Sequence, residues 1–449
     1  MSYSAGRRPY EAASKASHHH IINDSAVQSL MGRIYMPRRD DAINPLDICC
    51  DYLPPQTNPV EAVIAVDGGY TEVVVEQKYP SRLIHFLQFG ALMFKTDDLR
   101  TLERAPFIAP EDMSKLKNIQ RLKLALPTKG IRLDEEITLK GSILKTIYEF
   151  FRDNNLAEAQ SLLDTLAWFI FRRYKGGQRQ DEDKKWVLAT NPLSPTGERV
   201  TLIESQMDSD YTFPCPETGG RIFLTDVFRL HEVIDEETGA GGILGYLVNA
   251  IEHLIIVHLV RNLLLRQPDV LQKVFFIKDG PTGLFGQTAR LHEPMRDLVT
   301  WLLDSHNIYL AGFEKSGAFV EHAQAIQQII PSGKVIILTD DYIYRHILPG
   351  NPDPTDPPYA STSNYGHKVI FKTPAGQMHV VSIPVKELKK QPSVNDIPNL
   401  QAILANVELL HCDMYDSALF PVALVNKLVS LSAYPSQRIL QKFATSSIG

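Results

Sequence analysis

Asp67 and Asp279 each close a short apolar run, and each is followed by glycine. The first run is Val63-Ile-Ala-Val-Asp-Gly-Gly-Tyr70 and the second is Val274-Phe-Phe-Ile-Lys-Asp-Gly-Pro281. β-Branched and aromatic residues in runs this short predict central strands. An acid at the end of each places a carboxylate there, and neighbouring strands would bring the two side by side. Such a pair is a natural seat for a hard divalent cation. The Gly68-Gly69 pair predicts an immediate turn and room for a ligand to come close. The competing reading is structural, because Asp-Gly after a strand is also a common turn.

Two more residues could join that chemistry. Glu252 shares a helical pattern with Leu247, Ile251, Ile255, Leu259 and Leu263, among apolar positions and not on an evident polar face. A carboxylate is rarely buried unless it is paired or metal-bound. Lys315 follows the apolar run 308–313, at the carboxyl end of a strand, where ligands usually bind in α/β sheets. There it could neutralise charge developing on a phosphate, or form a structural salt bridge. Asp340 and Asp341 hold the same place after Val335-Ile-Ile-Leu-Thr339. His253 and His258 lie too far apart on the helix for one face and read as ordinary helix residues.

The elements that must position these groups predict an α/β chain. Strand 63–70, a strand at 71–78 and a strand at 83–94 form an antiparallel half-sheet, with a turn at Tyr79-Pro80-Ser81. Glu72 and Glu76 share one face, with Glu76 in reach of the sheet end. Residues 111–174 show helical spacing: Leu116, Ile119, Leu122 and Leu124, then Ile143, Ile147, Phe150 and Phe151, then Leu162, Leu166, Phe169 and Phe171. The span 186–240 reads as a β-rich insertion. From 274 the order strand, helix, strand, helix, strand predicts a parallel half. Two strands follow at 368–372 and 378–383, then helices at 397–410 and 417–433. The domain reading is an N-terminal extension (1–55), a first core segment (56–110), an inserted region (111–240) and a second core segment with C-terminal helices (241–449).

With 449 residues, 44% hydrophobic and 22% charged, the chain can bury a large core. A net charge of −6 gives no support to a strongly basic nucleic-acid binder, so any such surface must be local. Arg172, Arg173, Lys175, Arg179, Lys184 and Lys185 offer one candidate patch, or a solvated loop. Four scattered cysteines without a C-x-x-C pair suit a reducing cytoplasm. Phe213-Pro-Cys215-Pro-Glu-Thr-Gly-Gly220 is half a zinc knuckle, too few ligands for a structural zinc. The apolar stretch 242–265 is interrupted by Asn249, Glu252, His253, His258, Arg261 and Asn262, which suits a buried helix and no membrane association. His18-His19-His20 reads as part of a polar lead-in.

In order, the motifs Ala65-Val-Asp67-Gly-Gly, the helix carrying Glu252, Phe276-Ile-Lys-Asp279-Gly, Ala311-Gly-Phe-Glu-Lys315-Ser and Phe420-Pro-Val-Ala-Leu-Val-Asn426-Lys resemble the NurA nuclease family. The resemblance spans about 60–435, with 111–240 matching poorly. It implies an RNase H-like mixed β-sheet core with flanking helices and a helical and β insertion. It also implies a metal-dependent DNA nuclease, end-processing as an exonuclease with single-strand endonuclease activity. The family works with the HerA hexameric ATPase in DNA repair or antiphage defence, and the resemblance implies a homodimer. By the same resemblance Asp67, Glu252 and Asp279 bind Mn2+ or Mg2+, and Asn426 stands where the family usually has a histidine ligand, with Asp416 or His411 as substitutes. In-line hydrolysis of a phosphodiester asks for two cations about 4 Å apart. Two other classes stay open: an actin or sugar-kinase-like nucleotide-binding protein, and a catalytically inactive homologue that only regulates its partner.

Overall fold

The computed structural model describes residues 18–34, 44, 48–76, 78–79, 81–97, 120–134, 136, 138–157, 160–194, 196–350, 353–412, 418–431 and 435–448. Contacts divide the chain into units Met1–Asn44 and Pro45–Gly449. In the first, helices α1 (His18–Asn23) and α2 (Ser25–Arg33) are separated by Asp24, whose carboxylate caps α2 by accepting from the Ala26 and Val27 N–H groups. The histidine run is the first turn of α1, and no residue of α2 is buried.

The second unit is organised around a nine-stranded sheet. Its strands are β1 (Cys49–Asp51), β2 (Ala62–Glu76), β3 (Arg82–Lys95), β4 (Gln120–Lys129), β5 (Val274–Asp279), β6 (Tyr309–Glu314), β7 (Lys334–Ile337), β8 (Gly366–Lys372) and β9 (Met378–Pro384). The spatial order is β1-β7-β8-β9-β6-β5-β2-β3-β4. β5 lies parallel to β2 and β6, and every other pairing is antiparallel. The sheet is therefore mixed, as expected, and the two acid-terminated runs are its neighbouring central strands.

Alternation along these strands sorts side chains into two cores. Ile64, Val66, Val274 and Phe276 face one apolar cluster, shared with helices α3 (Leu139–Asp153), α4 (Leu162–Ile170), α5 (Leu244–Arg266) and α6 (His292–Ser305). Val63, Ala65, Phe275 and Ile277 face the other, beneath helices α8 (Leu400–Leu409) and α9 (Phe420–Val429). Helix α7 (Ala318–Ala325) follows β6, and α10 (Ser436–Ile448) closes the described chain. Helix α5 is apolar around its whole circumference because it packs on both the sheet and α4. With its lead-in turn it is the one helix among the described residues long and apolar enough to cross a membrane, but 78% of its apolar window is buried inside this fold.

Three expectations are corrected here. Gly68-Gly69 makes no turn: β2 runs 15 residues through the pair, in unbroken register with β3 from Ala62 to Val74. The glycines serve close packing instead, since a Cβ on Gly68 would stand 2.7 Å from a Phe89 ring carbon and one on Gly69 2.9 Å from the Val429 carbonyl oxygen. Leu122 and Leu124 belong to a strand and not to a helix, because exposed Arg121, Lys123 and Ala125 alternate with buried Leu122, Leu124 and Leu126. Leu116 and Ile119 lie outside the described residues. Finally, β7 does not extend a parallel half. The antiparallel steps from β6 through β9 and β8 turn it opposite to β6. Asp340 and Asp341 consequently leave the sheet at the edge away from Asp279. There Asp340 accepts from the Tyr359 N–H at 3.0 Å and Asp341 pairs with Arg345 at 3.1 Å.

Candidate active site

Register places the two aspartates. Lys278 of β5 pairs with Val66 of β2, so the next residue on each strand, Asp279 and Asp67, emerges on the same face at adjacent positions. After Asp279 the chain turns at Gly280, whose N–H donates to the Phe313 carbonyl at 2.8 Å and whose φ is +88°. Gly312 makes that turn possible, because a Cβ there would lie 2.5 Å from the Gly280 oxygen. β6 ends beside them at Glu314, and Lys315 follows with Nζ 2.8 Å from Asp279 Oδ2. Glu252 reaches the same place from α5, and exposed Asn426 from α9. These residues with Gly68, Pro281 and Ser316 line an open cleft of about 380 Å³. A larger cleft of about 570 Å³ at the opposite strand ends holds no comparable cluster, and its Glu61 pairs with Lys273 at 2.8 Å.

Electrostatics distinguish the three carboxylates. Glu252 is buried and pairs with the equally buried Lys278 at 2.8 Å; it also meets the Gly68 N–H. Its pKa is raised, by burial first, with Lys278 opposing and Asp279 adding to the rise. Asp279 is half-exposed and held by Lys315. Asp67 is only 3% exposed, and although Oδ1 accepts the Gly68 N–H at 2.8 Å, Oδ2 has no hydrogen-bond partner. Burial, then the charges of Asp279 and Glu252, push its pKa from 3.8 to about 7, while Lys315 and the Asn426 side chain pull the other way.

The raised pKa has a measurable consequence of definite sign. Between about pH 4 and pH 7 the folded chain holds a proton on Asp67 that the unfolded chain has lost. Stability therefore falls as pH rises through this window, by about 1.4 kcal/mol for every tenfold fall in proton concentration. A cation at Asp67 would offset the loss. Manganese is expected to raise the melting temperature near neutral pH and to have little effect at about pH 5. Thermal denaturation in Mn2+ or EDTA across this range checks it, and a cation effect of equal size at both ends would contradict it.

The structure thus brings Asp67, Glu252, Asp279, Lys315 and Asn426 to one cleft. No group of three or more His, Cys, Asp or Glu side chains arranged to hold a metal ion occurs among the described residues. The donor set still fits a divalent cation at one point, where a buried carboxylate oxygen without a hydrogen-bond partner lies beside a second carboxylate. His411 packs its ring on His379, 5.3 Å between centroids, and does not line the cleft; Asp416 lies outside the described residues. Glu76 pairs with Arg82 at 3.1 Å, at the C-terminal end of β2 and away from the cleft lining. The basic loop is not a free patch. Arg172 binds Asp297, Arg173 and Arg179 bind Glu204, Lys175 binds Asp183 and Lys184 binds Asp181. His253 bonds to the Asn249 carbonyl of its own helix and His258 to the Thr165 hydroxyl, as ordinary helix residues do.

Two further charges at the site, Lys278 and Glu314, are not evident from motif spacing. Glu314 pairs with buried Lys368. Lys278 interrupts the apolar run just before its closing acid, and a buried charge needing a partner is the signal that marks it.

No protein-family model matches the chain, and no curated protein matches it. Solved structures similar to it include two of NurA proteins. One is a crystal structure of the NurA nuclease from Sulfolobus solfataricus, 10% identical with a TM-score of 0.33, covering 97% of this chain and 94% of that one. The other is a crystal structure of NurA, 9% identical with a TM-score of 0.29, covering 96% and 95%. Likeness at this level carries no functional argument.

Proposed function

We propose that the cleft is the active site of a metal-dependent, NurA-type deoxyribonuclease with an RNase H-like core, using Mn2+ or Mg2+. The observation that supports it is buried Asp67 beside Asp279, with an Oδ2 that has no hydrogen-bond partner and with burial and two acidic neighbours disfavouring its charge, which a divalent cation would stabilise. When bound, the cation lowers the pKa of a water and polarises a phosphoryl oxygen. Asp67 and Asp279 would hold it, Asn426 would offer an amide oxygen from α9, and Glu252 would brace the group from α5. The cleft's openness admits a polymer, and the half-exposed Lys315 ammonium meets charge developing on the phosphate. The sequence resemblance adds an end-processing role, a homodimer and a HerA-type hexameric ATPase as partner.

Lys315 has two tasks in this account, since it competes with the cation for Asp279 and serves the phosphate. Lys315→Met is expected to tighten Mn2+ binding about tenfold, equivalent to about 1.4 kcal/mol, while slowing cleavage at saturating metal. Calorimetry and single-turnover cleavage read the two effects, and unchanged metal affinity would count against the competition.

The function is tested on end-labelled single- and double-stranded DNA, alone and with a HerA-type ATPase and ATP. Cleavage is expected with Mn2+ or Mg2+ and not with EDTA. An inert chain in every condition would remove the enzyme reading. Nucleotide binding would then favour the kinase-like class, and partner binding alone the regulatory one.

A further inference from the structure

Lys278 has no part in the proposed reaction, yet it is 2% exposed and lies directly behind the carboxylates. Its Nζ donates to Glu252 at 2.8 Å and to the Asp279 main-chain carbonyl at 2.6 Å. A charged ammonium persists in such a place only with an anion beside it. Glu252 supplies the anion, and in exchange both ends of the contact are fixed: one by strand β5, the other by helix α5. Glu252 is thus a buried acid already paired with a fixed cation. Asp67 differs: the residue borders the cleft but is 3% exposed, and its buried Oδ2 has no hydrogen-bond partner.

We infer that Lys278 is a positioning residue acting as a permanent countercharge at Glu252, so that the site takes one divalent cation, between Asp67 and Asp279, in place of two. The inference rests on the nuclease reading and refines its metal requirement. Charge balance supports it. Of the four carboxylates lining the cleft, Lys368 cancels Glu314 and Lys278 cancels Glu252, and a single dication cancels the other two once Lys315 has left Asp279 for the phosphate. A second dication would leave two excess positive charges in a cleft walled by buried groups, with no free acid to meet it. Catalysis then depends on one cation plus Lys315, with the ammonium doing at the phosphate what a second metal would otherwise do.

The test is the number of Mn2+ ions bound per chain, measured on the full-length protein by calorimetry and by the loss of the free Mn2+ paramagnetic signal. Wild type is expected to bind one. Lys278→Met is expected to bind two, because Glu252 loses its countercharge, and Lys278→Arg to return the count to one. Two ions on wild type would overturn the inference and leave the nuclease reading standing. No binding at all to wild type would remove the metal-dependent reading itself. A folded Lys278→Met that still binds one ion would also overturn the assigned role. Should that variant fail to fold, the wild-type count still decides whether a single cation suffices.

Discussion

Asp67→Asn is expected to lower DNA cleavage by on the order of 10³-fold and, at neutral pH without metal, to raise the melting temperature. The two effects come from one cause. Asp67 carries a carboxylate whose burial and acidic neighbours push its pKa to about 7, and whose Oδ2 has no partner. Near neutral pH its ionised form therefore weakens the fold, and a neutral amide of nearly the same shape removes the repulsion from Asp279 and Glu252. The same change takes away the ligand charge that would hold a cation. A carboxylate kept only for structure behaves oppositely, losing stability on replacement. Cleavage assays and thermal denaturation in EDTA read the pair of effects, and a variant that is both destabilised and active would refute the functional assignment of this residue.

Gly312→Ala is expected to destabilise the chain by about 1–3 kcal/mol and to cripple the site from behind. The added Cβ would stand 2.5 Å from the Gly280 oxygen and 2.7 Å from the Thr282 nitrogen. Both are main-chain atoms, so no side chain can swing aside. The turn that carries Asp279 off the end of β5 must move, and the pairing of Asp279 with Lys315 moves with it. Gly245→Ala is the matched control, since Gly245 lies in helix α5 with nothing within 4 Å of an added Cβ. There alanine is expected to be neutral or to stabilise by about 0.5–1 kcal/mol. Urea denaturation of both variants measures the difference, and equal midpoints would contradict the packing described for the turn.

What the sequence makes legible is local. Asp67 and Asp279 can be placed together because two apolar runs of the same grammar form neighbouring central strands, and Glu252 because a charge on an apolar helix demands a partner. Other features depend on distant residues. The purpose of Gly68-Gly69 is set by Phe89 and by Val429, which approach from elsewhere in the chain. The basic loop looks available because the acids that hold its arginines are remote: Glu204 lies 31 positions from Arg173, and Asp297 lies 125 from Arg172. The direction of β7 follows from where the β8–β9 hairpin inserts, which no periodicity records. β4 is the exception, for its alternation from Arg121 to Leu126 is visible in the sequence but merges with the helical spacing of α3, which begins at Leu139.

The central claim is that Asp67 and Asp279 form one cation-dependent hydrolytic site. Its most direct test is single-turnover cleavage of end-labelled DNA by wild type, Asp67→Asn and Asp279→Asn in Mn2+, Mg2+ or EDTA. The account predicts cleavage by wild type with either metal, none in EDTA, and loss of activity in both folded variants. Cleavage that survives EDTA, or that survives either substitution, would contradict it.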